Sequence, residues 1–209
     1  MRIIGWNVEN THAPDAVRRE VAKLIAVHDP DVICLQETYH LHGHLDGLGY
    51  QVVQFRPRRG ESERAETAIL VRDGLRIKGR LAIRLRQHWR GPKAGKRHDG
   101  RVYRYVRVKV RRVVWKVGCV HQPFGQGPKA ESIAAVQRWF DRARKGRPVA
   151  MVGDWNMTKH VVAARLHGVD VAGFGIDLAA VRNASVKATR LGKHGSDHHA
   201  IKYDLEEHQ

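Results

Sequence analysis

Apolar and polar positions at the start of the chain follow a strand–helix–strand order. Residues 2–8 form a short, mostly apolar stretch of strand length. A helix is predicted to begin at Pro14, because apolar residues then recur at spacings of three and four, and to end before Pro30. Residues 31–36 form a continuous apolar run, which predicts a strand covered on both faces.

The rest of the chain is dominated by predicted strands, with one further long helix. The strands are predicted at residues 50–55, 66–71, 75–81, 103–110, 113–120, 148–153, 171–181 and 199–205. The helix is predicted at residues 129–145, where one apolar stripe comprises Ile133, Val136, Trp139 and Phe140. Two layers of mixed sheet with helices outside fit this order better than one doubly wound sheet, because the middle of the chain lacks crossover helices.

Composition indicates an ordinary globular protein. The chain has 209 residues, of which 42% are hydrophobic and 28% charged, and we expect one domain over residues 1–209. Cys34 and Cys119 lie inside apolar runs, which predicts small core residues and no disulfide framework. No apolar run approaches the ~18 residues of a membrane span, and the N-terminal residues are too polar for a signal peptide. A cytoplasmic protein with no membrane association is expected.

The net charge narrows the choice of partner. Lys and Arg number 38 against 21 Asp and Glu, a formal net charge of +17, whereas a small domain typically carries ~2–8. Such a surface attracts polyanions through counterion release, so the predicted partner is nucleic acid, DNA first and RNA second. A basic surface without a partner is the alternative. An anionic membrane is disfavoured, because no basic amphipathic helix or lipidation site is present. A monomer is expected.

The middle of the chain combines basic and aromatic residues in the manner of a nucleic-acid contact. Residues 84–107 contain nine basic residues with three aromatic ones interleaved, and residues 87–101 are predicted to form a flexible loop because of their glycines and proline. Tyr103 and Tyr105 have an equally good interpretation as core residues. Candidate nucleic-acid contacts are Trp89, Arg90, Lys93, Lys96 and Arg97, with Arg58 and Arg59 in a second cluster and Lys193 near the C-terminus.

Polar residues follow several apolar strands at the point where each strand ends. Asn7 and Glu37 close the first two, Asp154 and Asn156 follow residues 148–153, and Asp197 precedes the last strand. Carboxylate and amide oxygens are the ligands that a hard cation such as Mg²⁺ prefers. Two residues apart, Asp154 and Asn156 would point the same way in extended backbone. Each residue alone has an ordinary interpretation as a turn, a helix cap or a solvated charge.

Six short motifs give these residues a shared context. They are WNVEN at 6–10, DVICLQE at 31–37, VHQP at 120–123, GDWN at 153–156, GID at 175–177 and GSDHHAI at 195–201. In this order the motifs resemble the endonuclease/exonuclease/phosphatase superfamily, which includes DNase I-like and exonuclease III-like nucleases. The resemblance implies an α/β fold, a four-layer α/β/β/α sandwich of two mixed sheets with outer helices.

The resemblance also implies Mg²⁺-dependent hydrolysis of phosphoester bonds, with Mn²⁺ as a substitute. On this basis Glu37 is expected to be the principal metal ligand, helped by Asn7 and Asp197. His198 is expected to contact the scissile phosphate or accept a proton from water, with Asp177 as its partner.

Three further roles come from the same resemblance. Asp154 and Asn156 are expected to position water and phosphate, and His121 is expected to make another phosphate contact. Hydrolysis places negative charge on phosphoryl oxygens, which a cation, a charged histidine and amide donors neutralise.

The combined hypothesis is a DNA nuclease that leaves 5′-phosphate and 3′-hydroxyl ends. Two alternatives stay open. One is a phosphatase or phosphodiesterase of the same fold that acts on a small phosphoester, which the charge disfavours. The other is a nucleic-acid-binding protein with a silent active site, which the complete set of polar residues disfavours.

Overall fold

The computed structural model describes residues 1–9, 13–54, 66–84, 88–90, 97–99, 102–122, 126–143 and 146–208. Within these ranges the chain forms fourteen strands and three α-helices. In chain order they are β1 (Arg2–Asn7), α1 (Pro14–His28), β2 (Val32–Gln36), β3 (Tyr50–Gln54), β4 (Thr67–Arg72), β5 (Arg76–Arg84), β6 (His88–Arg90), β7 (Arg97–Asp99), β8 (Val102–Val110), β9 (Val113–His121), α2 (Gln126–Asp141), β10 (Val149–Asp154), α3 (Lys159–Arg165), β11 (Asp170–Phe174), β12 (Asp177–Arg182), β13 (Ala184–Gly192) and β14 (Ala200–Glu207). A 3₁₀ turn lies at Tyr39–Leu41.

Twelve of these strands form two mixed six-stranded sheets. The first sheet has the order β13-β14-β1-β2-β4-β3, and the second has the order β11-β12-β10-β9-β8-β5. Each sheet contains one parallel pair, β1 with β2 and β9 with β10, and the other pairs are antiparallel. Because parallel strands end at the same edge of a sheet, these two pairs determine where polar strand ends gather.

Three apolar cores separate four layers. Val17 and Val21 of α1 pack on Ile4 and Ile33 at the outer face of the first sheet. Alternate residues of the same strands point to the opposite face, where Ile3 packs in the core between the two sheets. Burial on both faces explains the continuous apolar run of β2.

The outer face of the second sheet is covered in the same way by α2 and α3. Phe140 of α2 and Val162 of α3 pack on Met151 and Leu178. The predicted four-layer sandwich of two mixed sheets is therefore confirmed. No described helix has the length and apolar character needed to cross a membrane.

Several predicted boundaries were wrong. The predicted strand at 171–181 is a hairpin of β11 and β12, because Gly175 with φ +60° reverses the chain and pairs Phe174 with Asp177. Residues 87–101 were predicted to be a loop throughout, but β6 and β7 pair within them. The second helix begins three residues earlier and ends four earlier than predicted.

Gly153 offers a test of how closely the strands approach below the site. Its φ is +144°, and a Cβ there would lie 2.0 Å from the carbonyl oxygen of Val120. We expect Gly153→Ala to lower the free energy of unfolding by at least about 3 kcal/mol, because backbone atoms must move. Gly74 has φ +85° but open space around it, so Gly74→Ala is the matched control and should cost about 1 kcal/mol. If urea denaturation shows that both variants lose the same free energy of unfolding, the close approach of Gly153 to the Val120 carbonyl is contradicted.

Candidate active site

The polar residues predicted at strand ends meet at one edge of the two sheets. Asn7 is the last residue of β1, and Glu37 directly follows β2. In the second sheet the last residues of β9 and β10, His121 and Asp154, are register partners, and Asp154 also pairs with Asp177 at the start of β12. The parallel pairs therefore bring side chains from both sheets to a common edge.

The side-chain amide of Asn7 connects the two sheets. Its Nδ2 donates to Glu37 Oε1 at 3.3 Å and to Asp154 Oδ2 at 3.2 Å, while its Oδ1 accepts the backbone N–H of Glu9 at 3.1 Å. The amide thus presents its donor to two carboxylates. His121 Nε2 lies 3.7 Å from the same two oxygen atoms.

His198 lies in the loop before β14 and is hydrogen-bonded to Asp177. Its Nδ1 lies 3.0 Å from both carboxylate oxygens of Asp177. Its Nε2 faces the other acids, at 3.9 Å from Asp154 Oδ2 and 3.7 Å from Asp197 Oδ1. Burial opposes protonation of the ring, but the hydrogen bond and charge of Asp177, with Asp154 and Asp197 behind, outweigh it and raise the pKa of His198 to about 9.

Asp154 is the most enclosed carboxylate of the cluster. Its burial raises its pKa to about 6, against the hydrogen bond from the backbone of Asn156, and the nearby charge of Asp177 adds to the increase. Both pKa values are thus raised. The shift favours the positively charged form of His198 and disfavours the negatively charged form of Asp154. A carboxylate and an imidazolium in this state are suited to proton transfer and phosphate binding.

The extended-backbone prediction for Asp154 and Asn156 was wrong. Asn156 has a φ of +47°, and its backbone N–H donates to Asp154 Oδ1 at 2.8 Å, the pattern of an Asx turn. The turn directs the Asn156 amide to the carbonyl oxygen of Gln122, at 2.7 Å. Asn156 therefore fixes the Asp154 carboxylate from the main chain.

Two residues of the site were missed by sequence analysis. Ser196 is buried; its hydroxyl donates to the carbonyl of Asn7 at 2.7 Å and accepts the N–H of His198 at 3.1 Å. Gln122 donates its N–H to the carbonyl of Asp154 at 2.8 Å. Gln122 lies in the VHQP motif and Ser196 in the GSDHHAI motif. Their position in these motifs was the only sequence feature that could have indicated a role at the site.

The structure describes the side chain of only one candidate nucleic-acid contact, Lys193. Arg58, Arg59, Lys93 and Lys96 lie outside the described residues, and for Trp89, Arg90 and Arg97 the structure describes only the backbone of β6 and β7. Lys193 is exposed close to Ser196 in the loop that leads to His198. Their roles stay predictions.

The two tyrosines of β8 have structural partners. Tyr103 is buried and its hydroxyl donates to Gln122 Oε1 at 2.6 Å. Tyr105 packs edge-on against Trp139 of α2 with ring centroids 5.5 Å apart. These contacts favour the core interpretation of both rings.

The donor set fits a divalent cation. Among the described residues Asp154, Asp177 and His198 bring polar atoms within 4.8 Å of one another, and Glu37 Oε1 is linked to this group through Asn7. A protonated His198 offers no lone pair to a metal, so the carboxylates are the available ligands. Oxygen-rich sites of this type suit Mg²⁺ or Mn²⁺. The side chain of Glu37 is 19% exposed and that of Asp197 is 69% exposed. Glu37, Asn7 and Asp197 stay the predicted ligands. In this structure the Asn7 oxygen that would bind a metal accepts the N–H of Glu9, and the amide nitrogen faces the carboxylates.

Comparison of the sequence with models of protein families identifies the family of this chain. The model of the endonuclease/exonuclease/phosphatase family matches residues 4–198, which include every motif residue of the cluster. The chain belongs to the endonuclease/exonuclease/phosphatase family. Members of this fold hydrolyse phosphoesters. A search of curated protein sequences finds no match.

Solved structures of family members share the fold at low sequence identity. A humanised D. rerio TDP2 is 18% identical, with 99% of this chain and 98% of that chain covered and a TM-score of 0.76. D. rerio TDP2 with a single-strand DNA product is 16% identical, with the same coverage and TM-score. The Bacteroides thetaiotaomicron mannosyl-6-phosphatase Bt3783 is 17% identical, with 99% of each chain covered and a TM-score of 0.70.

The His198–Asp177 contact has a direct spectroscopic test. In metal-free protein His198 should titrate near pH 9 by NMR, and Asp177→Asn should move the midpoint down by at least one pH unit, about the shift that loss of a charged partner causes. Protonated His198 stabilises the fold fully below pH 6.5, and this contribution is lost as the pH rises through about 9.

The matched control for this titration is Asp170→Asn, which removes an exposed carboxylate at the start of β11. It should leave the midpoint of His198 unchanged. Titration of His198 near its ordinary value in wild-type protein would show that Asp177 does not hold the imidazolium.

Proposed function

We propose that the protein is a divalent-metal-dependent phosphodiesterase that hydrolyses nucleic acid, with DNA as the preferred polymer. The observation that carries the proposal is the joint placement of Glu37, Asn7, Asp154, Asp177 and His198 at one sheet edge. The net charge of +17 supports a polyanionic substrate.

His198 is proposed to bind and neutralise the scissile phosphate. With Nδ1–H donated to Asp177, the Nε2–H faces the space beside Asp154 and Asp197. A positive imidazolium there stabilises negative charge on a phosphoryl oxygen as the bond breaks. Asp177 holds both the orientation and the proton of the ring.

Asp154 is proposed to accept a proton from the attacking water. Its Oδ1 is fixed by the N–H of Asn156, and its Oδ2 by the amide of Asn7. A pKa of about 6 leaves Asp154 ionised at neutral pH yet close to protonation, as a general base requires. A divalent cation held by Glu37 and its neighbours would neutralise charge on the phosphate oxygens.

Substrate size separates the two leading candidates. A small phosphoester offers few charges, whereas a nucleic acid offers one at each nucleotide to a chain of net charge +17. The TDP2 structure with single-strand DNA product supports DNA as a substrate class for this fold. The mannosyl-6-phosphatase structure supports the small-phosphoester alternative.

A cleavage assay distinguishes the candidates. Labelled circular plasmid, linear duplex, single-stranded DNA and RNA are incubated with protein in Mg²⁺ or in EDTA. We expect Mg²⁺-dependent cutting of DNA with 5′-phosphate and 3′-hydroxyl ends. Mannose 6-phosphate and p-nitrophenyl phosphate are tested in parallel. Release of phosphate from either, with every polymer intact, would overturn the DNA proposal and favour the phosphatase.

Two variants assign the cleavage to this site. Glu37→Ala and His198→Ala should each lower the turnover of DNA by about 10²–10⁴-fold, since each removes charge stabilisation at the phosphate. Binding of DNA in EDTA should change less than about threefold, because most affinity comes from other phosphate contacts. Glu207→Ala removes an exposed carboxylate at the end of β14 as the control. Full activity of Glu37→Ala would remove Glu37 from the site.

A further inference from the structure

The outer face of β8 changes character along the strand. Tyr103 and Tyr105 lie against α2, and the same face continues beyond the helix with Arg107 and Lys109, which are exposed. Because alternate residues of a strand share a face, all four side chains are on the outer side of the second sheet. The helix therefore leaves a basic part of this sheet uncovered.

Neighbouring strands add cations at the paired positions. Arg76 of β5 is the register partner of Lys109, and Lys116 of β9 is the register partner of Arg107. Directly paired residues of antiparallel strands point to the same face. We call Arg76, Arg107, Lys109 and Lys116 the basic strip; Lys116 lies at its margin, half-buried against Trp139 of α2. Residues 74–121, which include all three strands, contain a single acidic residue, Asp99.

The basic strip has a cost to the isolated protein. Like charges on paired strand positions destabilise a sheet, and within the described part of the chain none of the four cations forms a salt bridge. Burial, together with repulsion from Arg107 and Arg142, lowers the pKa of Lys116 to about 8. The strip therefore retains an unbalanced positive charge.

Two of the four side chains are held in place. The Lys116 ammonium lies 4.1 Å from the ring centroid of Trp139 and 4.8 Å from that of Tyr105, and it donates to the Trp139 carbonyl at 3.2 Å. Arg107 lies over Gly79, and its Nη2 donates to the carbonyl oxygen of Lys78 at 3.4 Å. Fixed cations lose less side-chain entropy when a ligand binds than free ones do.

We propose that the basic strip is a second contact surface for the phosphate backbone of duplex DNA. The choice of DNA as the occupant rests on the proposed function. Arg107 and Lys109 are spaced about 7 Å along their strand, so both cations can contact neighbouring phosphates of one backbone. An extended polyanion engages several such cations at once, whereas a small phosphoester engages one.

The strip lies away from the candidate active site. His121 at the site and Lys116 in the strip are five positions apart on β9, about 17 Å in a strand. That distance corresponds to about five base pairs of duplex. A duplex held at the site therefore reaches the strip only if it extends at least about five base pairs beyond the cleavage point.

The salt dependence of DNA binding tests the strip. Fluorescence anisotropy of a labelled 30-base-pair duplex is measured in EDTA from 50 to 300 mM KCl. Arg107→Gln/Lys109→Gln should weaken binding at least about tenfold and reduce the slope of log K against log[salt] by about 2, because two phosphate contacts are lost. The matched control is Arg19→Gln/Arg165→Gln, which removes two exposed cations of α1 and α3. Equal effects of the two double variants would overturn the proposal.

Duplex length separates failure of the strip from failure of the proposed function. With an 8-base-pair duplex whose centre is at the site, wild type and Arg107→Gln/Lys109→Gln should bind and cut alike, while with 30 base pairs they should differ. Loss with both lengths would place Arg107 and Lys109 at the site and overturn a separate surface. Absence of cutting by wild type, with the slope change retained, would overturn the function and leave the strip as a DNA contact.

A second variant and a second polyanion complete the test. Arg76→Gln/Lys109→Gln leaves the packed Arg107 in place and should give the same slope change. Its melting temperature should be at or above that of wild type, because two like charges at paired positions are removed. Vesicles of anionic phospholipid are the competing occupant. Vesicle binding that both double variants of the strip abolish, with the DNA slope unchanged, would assign the surface to a membrane and overturn the proposal.

Discussion

The amide of Asn7 is the contact on which the rest of the site depends. It binds one carboxylate beside each sheet, Glu37 after β2 and Asp154 at the end of β10, at 3.3 Å and 3.2 Å. The cluster therefore exists only when the two sheets are packed face to face through their shared apolar core. Ser196 adds the third connection, because its hydroxyl joins the end of β1 to the loop that carries His198.

Electrostatics then divides the cluster into complementary parts. Asp177 keeps His198 protonated, while burial raises the pKa of Asp154 and so disfavours its ionised form. Concentrating acids at a partly buried edge costs stability unless a cation offsets the repulsion. Positive charges are concentrated in the same way on the outer face of the second sheet. The strands that carry the basic strip contain no acidic residue to balance them.

The sequence predicted those features that depend on local pattern. Continuous apolar runs indicated strands with two covered faces, and polar residues at their ends indicated which side chains would meet. Features created by backbone reversal were not predictable in this way. The left-handed turn at Asn156 redirects its amide, and the Gly175 turn divides one apolar stretch into a hairpin. Ser196 was missed because its role depends on a contact with Asn7, 189 positions away.

Thermal stability as a function of Mg²⁺ tests most directly whether the clustered acids require a cation. For wild type the melting temperature should rise with Mg²⁺ concentration, because a ligand that binds only the folded state stabilises it. Glu37→Gln keeps an acceptor for Asn7 and removes one negative charge, so in EDTA this variant should be at least as stable as wild type and should gain little from Mg²⁺. Equal Mg²⁺ stabilisation of both proteins, or none in wild type up to about 10 mM, far above what a physiological Mg²⁺ site needs, would contradict a metal site at Glu37.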